Sequence, residues 1–152
     1  MVDLPASGSE IWTDAATLPG WYAQRTGSGA SISASTGTST TGNLCSYETS
    51  QEDRALGSLG SGNTEAGSFS WGVSFQNATS TTVTLNNLEF TGEQWRSIST
   101  AAAQTVTFSY KIATSLVSNL NLASDTGWSA VNALDFTSPV ATGTTGARDG
   151  RS

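Results

Sequence analysis

The fold is decided between Gly67 and Thr114, where the sequence reads SFSWGVSF at positions 68–75 and TVTFSYKI at positions 105–112. In these stretches large apolar residues alternate with small or polar ones at a period of two. That period is typical of β-strands that bury one face and expose the other to water. The pattern predicts a core that includes Phe69, Trp71, Phe75, Val106, Phe108 and Tyr110.

Shorter patterns of the same kind extend the prediction along the chain, and no segment favours a helix of about ten residues. The predicted strands cover 21–22, 31–36, 43–47, 67–77, 81–96, 102–114 and 128–136. Within 81–96 the apolar phase slips around Asn86 and Asn87, which predicts a bulge or a bend. We therefore expect an all-β protein, an antiparallel two-sheet β-sandwich of jelly-roll-like order, with residues 1–152 as one domain.

Composition limits the classes of partner. Only 12% of the 152 residues are charged and the net charge is -6, so a basic surface for nucleic acid is not expected. No apolar run approaches the ~20 residues that span a bilayer, and Met1 to Asp3 lacks signal-peptide features, so the chain is expected to begin in a mature region. Thirteen aromatic residues argue against disorder. The single cysteine, Cys45, is expected as a small buried residue of strand 43–47.

The chain contains no histidine, which excludes a Ser-His-Asp triad and removes the commonest metal ligand. Paired carboxylates remain, Glu89 with Glu93 or Glu93 with Asp135, but we expect solvated acids rather than a glycosidase pair. No catalytic residue is predicted and the protein is expected not to be an enzyme. No cofactor is predicted either, although Asp125 and Asp149, each near a glycine, leave Ca²⁺ open as an alternative.

The candidate ligand-binding residues surround two tryptophans. Trp95 lies between Glu93 and Arg96, and an aromatic ring beside hydrogen-bonding side chains is how sugar sites are built. The alternative, which we favour, makes Trp95 a core residue and pairs Arg96 with Glu93 or Asp53. Trp21 and Tyr22, after a Pro-Gly turn, offer a second platform for a polysaccharide.

Six motifs follow one another along the chain: Leu18–Tyr22, Thr41–Leu44, Asp53–Leu59, Thr91–Arg96, Phe108–Tyr110 and Leu134–Pro139. In that order they resemble an uncharacterised β-sandwich region of secreted bacterial proteins. Such regions occur beside extracellular nuclease or lamin-tail modules, or before a cell-surface sorting signal. The resemblance implies secretion and a non-catalytic accessory role, and further strands after the stretch matching 147–150.

We expect an extracellular or cell-surface module that acts by binding or adhesion, with carbohydrate as the small partner. The alternative is a structural subunit that polymerises into a filament or layer by exchanging β-strands between subunits. Charged residues and prolines on an edge strand discourage pairing with another chain, but the sequence between Gly20 and Ser138 has few charges and no proline. The second hypothesis predicts that a terminal segment, Val2 to Trp12 or Pro139 to Ser152, pairs with a neighbouring copy.

Overall fold

A computed structural model describes residues 4–49, 54–99 and 102–150, and in these residues the chain is all-β with no α-helix. One 3-10 turn, Asn132–Leu134, interrupts the strands. The strands are β1 Ser9–Ile11, β2 Trp21–Arg25, β3 Ser31–Ser35, β4 Asn43–Tyr47, β5 Ala55–Leu59, β6 Phe69–Val73, β7 Arg96–Ser97, β8 Thr105–Val106, β9 Ser109–Tyr110, β10 Ser129–Ala130, β11 Phe136–Thr137 and β12 Gly146–Ala147.

The largest sheet has four strands in the order β1-β3-β4-β5. The β3–β4 pair is parallel, with Ile32 opposite Leu44, and the two flanking pairs are antiparallel. A return of the chain over residues 36–42 joins the parallel strands. Gly37 allows this return, because its φ of 81° is one that residues with a Cβ rarely adopt, and a side chain there would overlap the carbonyl oxygen of Trp95.

The β2–β6 ladder is antiparallel, with Trp21 opposite Val73. Arg25 joins this ladder to the four-stranded sheet. Its guanidinium donates to the Asn43 side chain at 2.8 Å and to the Ser31 carbonyl at 2.5 Å, and it lies 5.3 Å from the centre of the Phe69 ring. One half-buried cation therefore holds residues of β2, β3, β4 and β6 together.

The carboxyl-terminal half forms three two-residue ladders, β7–β12, β8–β11 and β9–β10. Side chains supplement these short ladders. The Gln94 side chain donates to the Val140 carbonyl at 2.9 Å and accepts from the Val140 amide at 2.8 Å, so it takes the place of a backbone partner. Arg148 donates to the Ser97 hydroxyl at 2.8 Å.

The largest fully buried side chains lie on β3 and β4 of the four-stranded sheet, and not where the alternating stretches predicted the core. The prediction is wrong for Phe75, Val106 and Tyr110, which are exposed, while Phe69, Trp71 and Phe108 are half-buried. Alternation predicts which side chains share a face, but a face is buried only if another layer covers it. The residues that are buried are Leu18, Tyr22, Ile32, Leu44, Cys45, Tyr47, Ala66, Trp95 and Leu120.

The strands in the structure are much shorter than the long strands that the sequence predicted. Strand 67–77 is confirmed only as β6, 81–96 only at its last residue, and 102–114 and 128–136 only as two-residue pieces. The described ladders are small and do not close, so the sandwich and its jelly-roll order stay predictions. The expectation of purely antiparallel sheets is wrong, because β3 and β4 pair in parallel. Throughout the described ranges, no helix has the length and apolar character needed to cross a bilayer.

Candidate functional site

Trp95 is the buried centre of the predicted polar-aromatic cluster. Its indole is 4% exposed and stacks on Tyr47 with ring centres 5.7 Å apart and planes 6° from parallel. The indole Nε1 donates to Glu93 at 2.8 Å, and Gly150 lies so close to the ring that a Cβ there would collide with it. This geometry supports the core alternative for Trp95, because its ring presents no free face to a sugar.

Arg96 does not pair with Glu93, the first of the two acids that the core alternative gave it. Its guanidinium donates to the carbonyl oxygens of Gly37 at 2.9 Å and Thr38 at 3.3 Å, while Glu93 is bound by the Trp95 indole. The other predicted acid, Asp53, lies outside the described residues. Arg96 therefore ties β7 to the return between β3 and β4.

The second candidate platform separates into one accessible and one buried ring. Trp21 is half-buried at the start of β2, directly after the turn at Gly20, whereas Tyr22 is buried. The turn is held by the Trp21 amide, which donates to the Leu18 carbonyl at 2.9 Å. Of the five candidate ligand-binding residues, Trp21 is the tryptophan whose ring remains partly open to solvent.

The acidic residues are engaged in local structure. Asp135 accepts from the Phe108 amide at 2.8 Å, and Glu89 is exposed. Asp125 pairs with Lys111 at 2.6 Å and accepts from the Trp128 indole at 3.1 Å. Across the part of the chain that the structure describes, no three His, Cys, Asp or Glu side chains form a group able to hold a metal ion.

Cys45 is buried in β4, as predicted, among Tyr47, Trp95 and the partly buried Ala55 and Leu59. Burial raises the pKa of its thiol above the ordinary value, against the opposing effect of hydrogen bonds from neighbouring groups. Burial likewise raises the pKa of the Tyr47 phenol, and the adjacent Cys45 raises it further. Both groups are therefore held neutral, which suits a packed core and not a reactive site.

The most unusual feature is the segment from Thr82 to Gly92, which we call the arm. None of its backbone amides or carbonyls is hydrogen bonded to any other described residue. Its apolar side chains are nevertheless exposed: Val83 by 62%, Leu85 by 76% and Phe90 by 51%. The arm thus combines the alternating pattern of a strand with the absence of a partner among the described residues.

The arm is held at its two ends. Before it, Asn77 donates to the Thr81 carbonyl at 2.9 Å and closes a turn. Near its end, Phe90 stacks on Phe108 with ring centres 5.9 Å apart, and Gly92 packs against the Phe136 ring. The residues from Thr82 to Glu89 lie between these attachments, and all of them are exposed.

The terminal segments pair within their own chain, which corrects the prediction that one of them is donated to a neighbour. β1 pairs with β3, and β12 pairs with β7. The Trp12 amide also donates to the Ala30 carbonyl at 2.9 Å. The outermost parts of the predicted donors, residues 2–3 and 151–152, lie outside the described residues. A segment with the alternating pattern of a strand and no partner among the described residues is therefore present, but it is internal.

The sequence signals for the arm were the phase slip at Asn86 and Asn87 and the lack of guarding residues in this part of the chain. Comparison of the chain with protein-family models, with curated proteins and with solved structures finds no match.

Proposed function

We propose that this protein is a non-catalytic structural subunit that assembles with copies of itself into an extracellular filament or layer by β-strand exchange. The observation that carries the proposal is the amount of surface that a single chain exposes. The extracellular location rests on the low charge, the abundance of Ser and Thr and the resemblance to secreted regions.

A single chain exposes 9741 Å², whereas a monomeric protein of 15.6 kDa exposes about 7,250 Å² by the usual scaling of area with mass. The excess is about 2,500 Å², several times the ~800 Å² that each partner buries in a standard interface. The exposed surface includes large apolar side chains, among them Val83, Leu85 and Ile112. Association with more than one neighbour would remove this surface from water.

The edges of the four-stranded sheet also favour association. At one edge, β1 is short and carries the exposed Glu10, a charge that discourages pairing. At the other edge, β5 has five residues with no charge and no proline, and no further strand pairs with it in the described part of the chain. A free, uncharged edge is a template for another strand. We infer that the predicted two-sheet sandwich is completed in the assembly.

Sedimentation velocity and negative-stain microscopy at increasing protein concentration test this proposal. We expect species larger than one chain, growing with concentration into regular filaments or sheets. Raising the ionic strength should promote growth, because copies with a net charge of -6 repel each other less when screened. A protein that sediments as a single chain at every concentration and salt would refute the proposal.

One observation favours a second function, binding of polysaccharide at a cell surface. Trp21 is half-buried beside an exposed proline, Pro19, so part of its ring is open for stacking on a sugar. Trp21→Ala should then abolish retention on insoluble polysaccharide while the far-ultraviolet circular dichroism spectrum stays unchanged. Trp95→Phe is unsuitable for this test because the Trp95 indole is part of the core. Equal retention of Trp21→Ala and the parent protein would exclude this surface.

A further inference from the structure

We propose that residues Thr82 to Asn86 of the arm are the donated strand, and that they add to the free edge of β5 in a second copy of this chain. The inference rests on the proposed assembly and specifies its interface. Donor and acceptor are different surfaces of the same molecule, so each copy can donate to one neighbour and accept from another. A head-to-tail contact of this kind generates an open chain of subunits unless the rotation closes it into a ring.

Before association, the donor segment already has free backbone groups and is restrained on both sides. A strand that joins a sheet must offer free amide and carbonyl groups, and the backbone of Thr82 to Asn86 has no hydrogen bond to another described residue. The turn at Asn77 and the Phe90–Phe108 stack hold the segment on both sides. Restricting the segment before binding lowers the conformational entropy lost on association.

The acceptor is matched to the donor in length and charge. β5 has five residues, and Thr82 to Asn86, the part of the exposed arm in which Val83 and Leu85 keep one apolar phase, is of the same length. Neither segment contains a charged residue or a proline. Pairing therefore buries no unpaired charge, and every residue of both segments has a backbone N–H that can donate to the ladder.

β6 is a weaker acceptor although it too is uncharged. It belongs to a two-stranded ladder, and such ladders have little independent stability. β5 instead extends a four-stranded sheet whose inner strands carry the buried Ile32 and Leu44. The fifth strand would therefore be added to the most rigid template in the described fold.

Proline variants test the ladder itself. Thr84→Pro and Leu85→Pro remove amides that are unbonded in the single chain, so each variant should fold like the parent. Since alternate residues of an edge strand direct their amides at the partner, one of the two neighbouring prolines must remove an interchain hydrogen bond. That variant should need an about tenfold higher concentration to assemble, from the loss of one ladder bond.

Lysine variants test the surface with a matched control. Leu85 is 76% exposed in the arm and Leu116 is 66% exposed outside it, so lysine at either position should leave the fold of a single chain intact. Leu85→Lys should weaken assembly at least as much as the proline variant that loses an interchain hydrogen bond, while Leu116→Lys should assemble like the parent. Circular dichroism and thermal melts establish that all variants fold.

Cross-linking identifies the acceptor. One preparation carries Ser58→Cys in β5, and a second carries a cysteine at one position from Thr82 to Asn86, with Leu116→Cys as the control. On mixing and oxidation, disulfides between the two preparations should peak at particular arm positions and be weak for Leu116→Cys. The native Cys45 is buried and does not compete.

The results separate this inference from the proposed function. If the parent assembles while every arm variant assembles equally, or if Ser58→Cys cross-links no better to the arm than to Leu116→Cys, the inference is wrong and the assembly stands. If the parent never assembles, the proposed function fails and this inference fails with it.

Discussion

Truncation of Trp95 should be the most damaging single change in the described core. The substitution Trp95→Ala removes an indole that is 4% exposed, that stacks on Tyr47 and that donates to Glu93. It empties the space between β4, β7 and the segment around Gly150, so three separate parts of the chain lose a common contact.

The magnitude follows from the area and the stacking. A buried tryptophan removes about 200 Å² more from water than alanine, which at about 25 cal/mol per Å² corresponds to about 5 kcal/mol. Measured losses for large aromatic deletions are about 3–5 kcal/mol. We therefore expect a loss of about 4 kcal/mol, and a melting temperature lower by about 12 °C for a chain of this size.

Urea unfolding followed by circular dichroism measures the change, with Phe75→Ala as the control. Phe75 is 83% exposed, so its truncation should change the free energy of unfolding by less than about 0.5 kcal/mol. Trp95→Phe should fall between the two, because it keeps an aromatic ring but loses the hydrogen bond to Glu93. A Trp95→Ala protein that unfolds within about 1 kcal/mol of the parent would refute the placement of the core.

Two further predictions concern pH. Burial raises the pKa values of Cys45 and Tyr47, so their contribution to stability is complete below the unfolded-state pKa of the thiol, about 8.5, and is lost as pH rises above it. The double variant Cys45→Ala, Tyr47→Phe should therefore show a smaller fall in the urea midpoint at alkaline pH than the parent. An equal fall in both proteins would contradict this. The hydrogen bond from Lys111, and then that from Trp128, lowers the pKa of Asp125. The contribution of Asp125 to stability is therefore present above its unfolded-state pKa near 4 and is lost as pH falls through the lower folded-state pKa. Asp125→Asn should remove this acid-dependent loss of melting temperature, and a nuclear magnetic resonance titration that gives Asp125 an ordinary pKa would contradict the prediction.

The sequence predicted the two inner strands of the four-stranded sheet, but not its edge strands β1 and β5. Strands 31–36 and 43–47 correspond to β3 and β4, and Cys45 is buried as expected. These segments are short and bounded by glycine- and serine-rich turns, so the local signal alone marks where each strand begins and ends. The all-β class follows from the same signals repeated along the chain.

The core could not be predicted, because burial depends on which layers meet. Phe69, Trp71 and Phe75 share one alternating face, yet the first two are half-buried and Phe75, beyond the end of β6, is 83% exposed. Trp95, in a motif that looked like a sugar site, is covered by Tyr47 and Gly150, which are distant in sequence. Alternation specifies the face of each side chain, whereas the covering layer is a property of the tertiary fold.

In the arm, too, the alternating pattern does not say which layer covers the apolar face. The alternating residues Val83 and Leu85 predicted a paired strand, and the structure places them in an exposed segment without a partner in its described residues. An alternating apolar strand has no advantage over a polar loop unless its face is buried. Under the proposed assembly, the covering strand for the arm comes from a second copy of this chain. The free edge of β5 is the uncharged surface of matching length, so the same contact would satisfy the arm and the largest sheet together.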